Sequence, residues 1–159
     1  MSHIDDYVQE DQQQPLWCWA AVACSMATYR LRPDWLQCLL VQAVRGLSGC
    51  CGAPSSCNDT GSLREALQLT KCLASHLDSK VELSDIREQI GGGRPVCFRI
   101  ARPDGTAHVA VMVGHDGETG DHCRLDILDP WTGAHTVDYG VLRDIGYSGG
   151  SWTDTYFVS

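Results

Sequence analysis

The sequence predicts an α+β fold, with helices first and an antiparallel sheet or half-barrel after them. Three observations carry this. Upstream of Gly91-Gly92-Gly93, apolar residues recur at helical spacing between start and stop signals. Downstream, short runs rich in Val and Ile alternate with Gly, Pro and Asp clusters. The chain has 159 residues, 43% of them hydrophobic and 20% charged, which suits one globular domain with a proper core. An active site would sit in the cleft between the two halves.

Taken in order, Pro15 can start a helix, and Trp19 to Leu31 reads as one, favoured by Ala20, Ala21, Ala23 and Ala27. Pro33-Asp34 opens a second helix, Trp35 to Arg45, stopped by Gly46. Ser62-x-x-Glu65 forms a capping box for a third, Leu63 to about Ala74. Ser84 caps a short fourth, Asp85 to Ile90. The strands follow at Pro95 to Ala101, Ala107 to Gly114, Arg124 to Leu128, His135 to Tyr139 and Asp154 to Val158, with a short helix near Val141 to Ile145. No internal repeat is present, and Gln12 to Gln14 is the only low-complexity tract.

The formal net charge of −8 argues against a nucleic-acid binder or a protein drawn to anionic membranes. It favours solubility and, more weakly, basic substrates; a solvated acidic surface is its commoner meaning. No apolar run approaches the ~18 residues of a spanning helix. Met1 to Gln14 is polar and acidic, unlike a Sec-type signal peptide, so the expected location is the cytoplasm or a destination reached by another export route.

Nine cysteines is a high and odd count, so at least one thiol is free or pairs outside the chain. Cys38, Cys50, Cys51 and Cys57 cluster around the Gly/Ser/Pro-rich segment Ser48 to Gly61. One or two disulfides pinning that segment are the leading reading. Reduced thiols come second. A zinc site comes third, because adjacent Cys50-Cys51 fits poorly with C-x2-4-C ligand spacing. Cys24, Cys72, Cys97 and Cys123 read as small core hydrophobes.

Cys18 stands apart, flanked by Trp17 and Trp19 at the start of the first helix. There, backbone N–H groups and the positive end of the helix dipole favour a thiolate, and an imidazole partner would complete its activation. His108 opens the apolar strand His108 to Gly114, and Asp129 follows the strand ending at Leu128. If those strands are adjacent and antiparallel, the start of one lies beside the end of the other, and His108 meets Asp129. Cys, His and Asp need to be close in space, not in sequence, for nucleophilic acyl chemistry. Alone, each has an ordinary reading: a core cysteine, a surface histidine, an Asp-Pro turn.

Together these residues resemble a family. Gln-x5-Cys-Trp-Ala-Ala, with Cys18 as its cysteine, is similar to the nucleophile motif of papain-like cysteine peptidases. The resemblance is greatest to the bacterial branch of staphopain-like enzymes and plant-pathogen cysteine-protease effectors. Arg94-Pro95-Val96, the stretch Gly105 to His115 around His108, Asp126 to Trp131, and the Cys50-Cys51 with Cys57-Asn58 segment resemble that branch too, so the match covers Gln12 to Val158. It implies one papain-like catalytic domain over 1–159, with a helical part at about 12–91 carrying the cysteine and a sheet part at about 94–158 carrying His and Asp.

The resemblance also assigns roles. Cys18 is the nucleophile, His108 the general base and acid, and Asp129 the group that orients the imidazole. Gln12, six positions before Cys18, supplies an oxyanion-hole amide beside the Cys18 backbone N–H, with Gln13 and Gln14 competing for that register. Trp19 and Trp131 wall the site, or are ordinary aromatic core. Ala107 departs from the Gly usual before the histidine in this branch; it is small enough to keep His108 accessible.

The expected activity is hydrolysis of peptide bonds in a protein or peptide substrate, with no cofactor and no metal. A deamidase or a transglutaminase-like acyltransferase would share the fold and triad, and a non-catalytic cysteine-rich binding module is the third reading. Only 17 residues precede Cys18, so no propeptide is visible, and regulation would come from an activating or inhibitory protein partner, a host cofactor or the disulfide state.

Overall fold

A computed structural model describes residues 1–159. In chain order its elements are β1 (Ser2–His3), α1 (Cys18–Tyr29), α2 (Gln37–Arg45), α3 (Leu63–Leu69), β2 (Leu73–Leu77), α4 (Leu83–Gly91), β3 (Val96–Ala101), β4 (Ala107–His115), β5 (Arg124–Asp129), β6 (Gly133–Asp138), α5 (Tyr139–Asp144) and β7 (Ser151–Val158). Single 3-10 turns cover Pro54–Cys57 and Gly120–His122. The α+β architecture predicted from the sequence, helices first and an antiparallel sheet after them, is the one observed.

The strands form one sheet in the order β2-β7-β3-β4-β5-β6, with β1 pairing the end of β4. Every pairing is antiparallel. β4 lies inside the sheet and is buried from His108 to His115. α1 packs against α2, α3 and β4, and all ten residues from Cys18 to Ala27 are buried. A helix enclosed on all sides needs small or apolar residues around its whole circumference, which is what the alanines supply. Trp17, Met26, Leu40, Leu67, Phe98, Met112 and Ile127 fill the space between helices and sheet.

Several boundaries move for local reasons. α1 ends at Tyr29, short of Leu31, because Leu31 turns left-handed at φ 61° and the Arg32 N–H reaches back to the Ala27 carbonyl. α2 begins at Gln37, with Pro33-Asp34 in the preceding turn, and Gly46 at φ 65° ends it as expected. The Ser62 hydroxyl accepts from the Glu65 N–H at 3.1 Å, as a capping residue should. α4 begins at Leu83, with Glu82 at its N-cap, two residues earlier than the expected cap Ser84, and no side chain caps it.

The largest correction concerns the third helix, expected to reach Ala74. It stops at Leu69, Lys71 adopts φ 61°, and Leu73–Leu77 becomes β2. The residues there tolerate a helix, but pairing with β7 at the far end of the chain decides otherwise.

The cysteine cluster forms two disulfides, Cys38–Cys51 and Cys50–Cys57. The first clips α2 to the irregular segment before α3, and the second closes a loop within that segment. Cys24, Cys72, Cys97 and Cys123 are free and buried, as core positions.

Candidate active site

Cys18 is the first residue of α1, so it meets the unpaired N–H groups of the first helical turn, where no acidic side chain offsets their dipole. Its flanks are anchored to the disulfide-bonded segment. The Trp17 indole N–H donates to the Cys57 carbonyl at 2.8 Å, and the Trp19 indole N–H to the Asp59 carbonyl at 3.2 Å. The Leu16 N–H donates to Asn58 Oδ1 at 2.9 Å.

His108 is the second residue of β4 and Asp129 the last of β5, and the antiparallel pairing brings them together as the sequence predicts. His108 Nε2 lies 2.9 Å from both Asp129 oxygens. Asp129 is 2% exposed and also accepts from the Trp131 N–H at 2.8 Å, the Thr132 N–H at 3.2 Å and the Tyr147 hydroxyl at 2.7 Å. The Asp-Pro-Trp motif is thus a turn folded back onto its own carboxylate.

Burial opposes charge on the His108 ring, but bonding to Asp129 and the neighbouring Cys18 side chain outweigh it, lifting its pKa to about 9. Burial likewise raises Asp129, yet the imidazole, Tyr147 and the Trp131 N–H bring it down to about 2. The pair is held as imidazolium and carboxylate across the neutral range.

Cys18 and His108 face a common cleft of about 980 Å³ that Gln12, Trp19, Gly61 and Trp131 also line. Trp19 is almost fully buried, whereas Trp131 is 60% exposed, so only Trp131 is an open wall. The Gln12 N–H donates to the Pro130 carbonyl at 2.9 Å, joining the N-terminal segment to the Asp-Pro-Trp turn. Its side-chain nitrogen faces the Gln14 and Pro15 carbonyls at 3.0 and 2.8 Å, and Oε1 is buried without a partner. Gln13 is exposed and Gln14 half-buried.

At the cleft edge, His76 Nε2 is 2.8 Å from Asp154 Oδ2 and 3.5 Å from Asp78 Oδ1, and its ring stacks on Tyr156. Arg99 stands 3.5 Å from Asp154, so this group already contains its counter-charge and suits a cation poorly. Sequence reasoning missed Tyr147 and the Arg99–Asp154–His76 chain. No local spacing announces either; both arise from strand and loop placement.

A family model described as "Papain-like cysteine protease AvrRpt2" matches residues 1–139. No curated protein sequence matches the chain. Among solved structures, a double glycine motif protease from an AMS/PCAT transporter, in complex with the leader peptide, aligns at TM-score 0.50 and 15% identity, covering 99% of this chain and 98% of that one. The Pseudomonas avirulence protein AvrPphB aligns at TM-score 0.42 and 7% identity, covering 98% of this chain and 99% of that one. By its match over most of its length, this chain belongs to the AvrRpt2 family of papain-like cysteine proteases.

Proposed function

We propose that the protein hydrolyses peptide bonds through a Cys18–His108–Asp129 triad within one catalytic domain spanning residues 1–159. The observation that carries this is His108 standing in one cleft with Cys18, its Nε2 already committed to Asp129. Nδ1 is then the ring nitrogen available to the thiol.

The Cys18 thiolate attacks the scissile carbonyl carbon, and His108 passes its proton to the departing amine as the C–N bond breaks. Water, deprotonated by His108, resolves the thioester and restores the thiol pair. The developing oxyanion would take the Cys18 backbone N–H and the Gln12 amide. Gln12 is the register supported by burial and by its place in the cleft lining. Its amide nitrogen donates to the Gln14 and Pro15 carbonyls, so it would turn from one of them to donate to substrate. A peptide substrate also agrees with the leader peptide held by the transporter protease that shares the fold. Two disulfides fit an oxidising destination and so favour export over residence in the cytoplasm.

Limited alkylation with iodoacetamide near pH 6, followed by peptide mapping, tests the pair. An unperturbed thiol is almost wholly protonated there. Selective modification of Cys18 that disappears in His108→Ala is the expected result. Reactivity of Cys18 no greater than that of Cys24 or Cys97 would refute the triad. Mass analysis of cleaved targets separates hydrolysis from deamidation, which adds about one dalton without cutting the chain, and Cys18→Ala should abolish either.

A further inference from the structure

The cleft carries the opposite charge to the protein. The chain has 20 Asp and Glu against 12 Lys and Arg, yet four arginines and only two carboxylates line the cleft. Arg45, at the end of α2, and Arg64, in the first turn of α3, come from the helical wall. Arg99 in β3 and Arg102 just beyond it come from the sheet wall. Cys18 and His108 line the same cleft as both pairs.

These arginines are poorly neutralised. Arg45, Arg64 and Arg102 make no ion pair, and Arg45 and Arg64 are exposed. Arg102 is steered by neutral groups, donating to the Ser148 carbonyl at 2.9 Å and the Ser148 hydroxyl at 3.2 Å. Arg99 donates to the Thr153 hydroxyl at 3.0 Å and shares Asp154 with His76. Glu65, the other carboxylate of the cleft, is exposed and unpaired. Charge of one sign on both walls of a groove focuses the potential between them, and guanidinium groups suit carboxylates in particular. Outside the cleft, the acidic surface repels the same ligands.

We propose that the cleft selects acidic peptide segments, with Arg45 and Arg64 on one wall and Arg99 and Arg102 on the other reading Asp or Glu side chains beside the scissile bond. This rests on the peptide chemistry proposed above and reverses the weak preference for basic substrates that the net charge alone suggests.

The test measures fluorescence anisotropy of two fluorescein-labelled decapeptides, one alternating Glu and Ala and one alternating Lys and Ala, on the full-length Cys18→Ala variant at low salt. Several solvent-exposed ion pairs together support a preference of about tenfold for the Glu peptide, falling as salt screens it. R45E/R64E should remove the preference and R45K/R64K should retain it, each with its melting temperature checked. Equal affinity, tighter binding of the Lys peptide, no binding of either, or a preference unmoved in folded R45E/R64E overturns the proposal. Incubating wild-type protein with a mixed peptide library separates it from the triad. Cleavage without acidic residues near the cut sinks the arginine reading and leaves the peptidase. Tight Glu-peptide binding with no cleavage does the reverse.

Discussion

The Tyr147 hydroxyl donates to Asp129 Oδ2 at 2.7 Å, so the carboxylate beside His108 is gripped by a side chain from the loop between α5 and β7. Tyr147 is fixed in turn by edge contacts with Phe98 and His135. It is a positioning residue for the proposed triad, and it draws negative charge away from the imidazole.

Tyr147→Phe keeps the ring and removes the donor. Asp129 then interacts more strongly with the imidazolium, so the alkaline limb of the kcat/KM profile should move to higher pH. Turnover should fall severalfold, because the carboxylate loses one of the bonds that fix its plane. Losing a bond to a charged group should cost about 1.5–3 kcal/mol of stability. A pH–rate profile with a thermal melt checks this; lower stability with an unmoved limb would reduce Tyr147 to a structural role.

Asp129→Asn tests the other side of the same pair. With His108 lifted to about 9 by Asp129 and Cys18, the alkaline limb should lie near pH 9 and fall toward the ordinary histidine value of about 6.5 in the variant. kcat/KM near neutrality should drop by at least about 10²-fold. Stability follows by linkage. The raised His108 contributes fully below about pH 6.5, and its contribution is lost as pH rises through about 9. The lowered Asp129 contributes above the ordinary aspartate value of about 3.9 and loses its contribution as pH falls through about 2. Asp129→Asn should therefore flatten the melting temperature against pH at both ends.

The meeting of His108 and Asp129 was legible in the sequence because antiparallel neighbours place the start of one strand beside the end of the next, a purely topological consequence. The order of helices and strands was legible because Ser62 and Gly46 mark ends with local chemistry. The fate of Leu73–Leu77 was not, because its pairing partner lies at the opposite end of the chain. Tyr147 escaped for the same reason. A tyrosine between Gly146 and Ser148-Gly149-Gly150 in an irregular loop has no periodicity, and its partner is set only when α5 and β7 are docked.

Gly61 lies against the ring of Trp19. A Cβ there would come within 2.4 Å of two indole carbons. The ring is 2% exposed and its N–H is tied to the Asp59 carbonyl, so it has little room to retreat. Gly61→Ala should destabilise the protein by about 1–3 kcal/mol, the usual range for overpacking. Because Trp19 directly follows Cys18, the same change should slow Cys18 alkylation at pH 6. Denaturant unfolding and alkylation rates of Gly61→Ala measure both effects.

Leu31 offers a gain instead. It is 88% exposed and holds φ 61°, a conformation that a side chain with a Cβ disfavours and glycine accepts. Its position just past α1 is where glycine ordinarily ends a helix. Leu31→Gly loses almost no buried surface and should raise stability by about 0.5–1 kcal/mol, the strain relief being partly offset by a more flexible unfolded chain. An unchanged or lowered denaturant midpoint would show that the left-handed turn carries no strain.

The Cys50–Cys57 bridge closes a loop of sequence separation 7; the Cys57 carbonyl holds Trp17, and that of Asp59, two residues on, holds Trp19. Opening so short a loop should cost about 2–3 kcal/mol on the chain-entropy account. Cys50→Ala/Cys57→Ala should therefore melt earlier than wild type under oxidising conditions, and a strong phosphine reductant should lower the wild-type melting temperature to that of the oxidised variant or below it, because it opens Cys38–Cys51 as well. At temperatures where both are folded, the variant should still turn over more slowly, since the Cys57 and Asp59 carbonyls that anchor Trp17 and Trp19 are no longer clipped in place. Assaying both proteins without reductant, each normalised to its alkylatable Cys18, keeps the wild-type bridge closed and isolates its effect. Equal melting temperatures in oxidising buffer would mean that the segment is held by its hydrogen bonds alone.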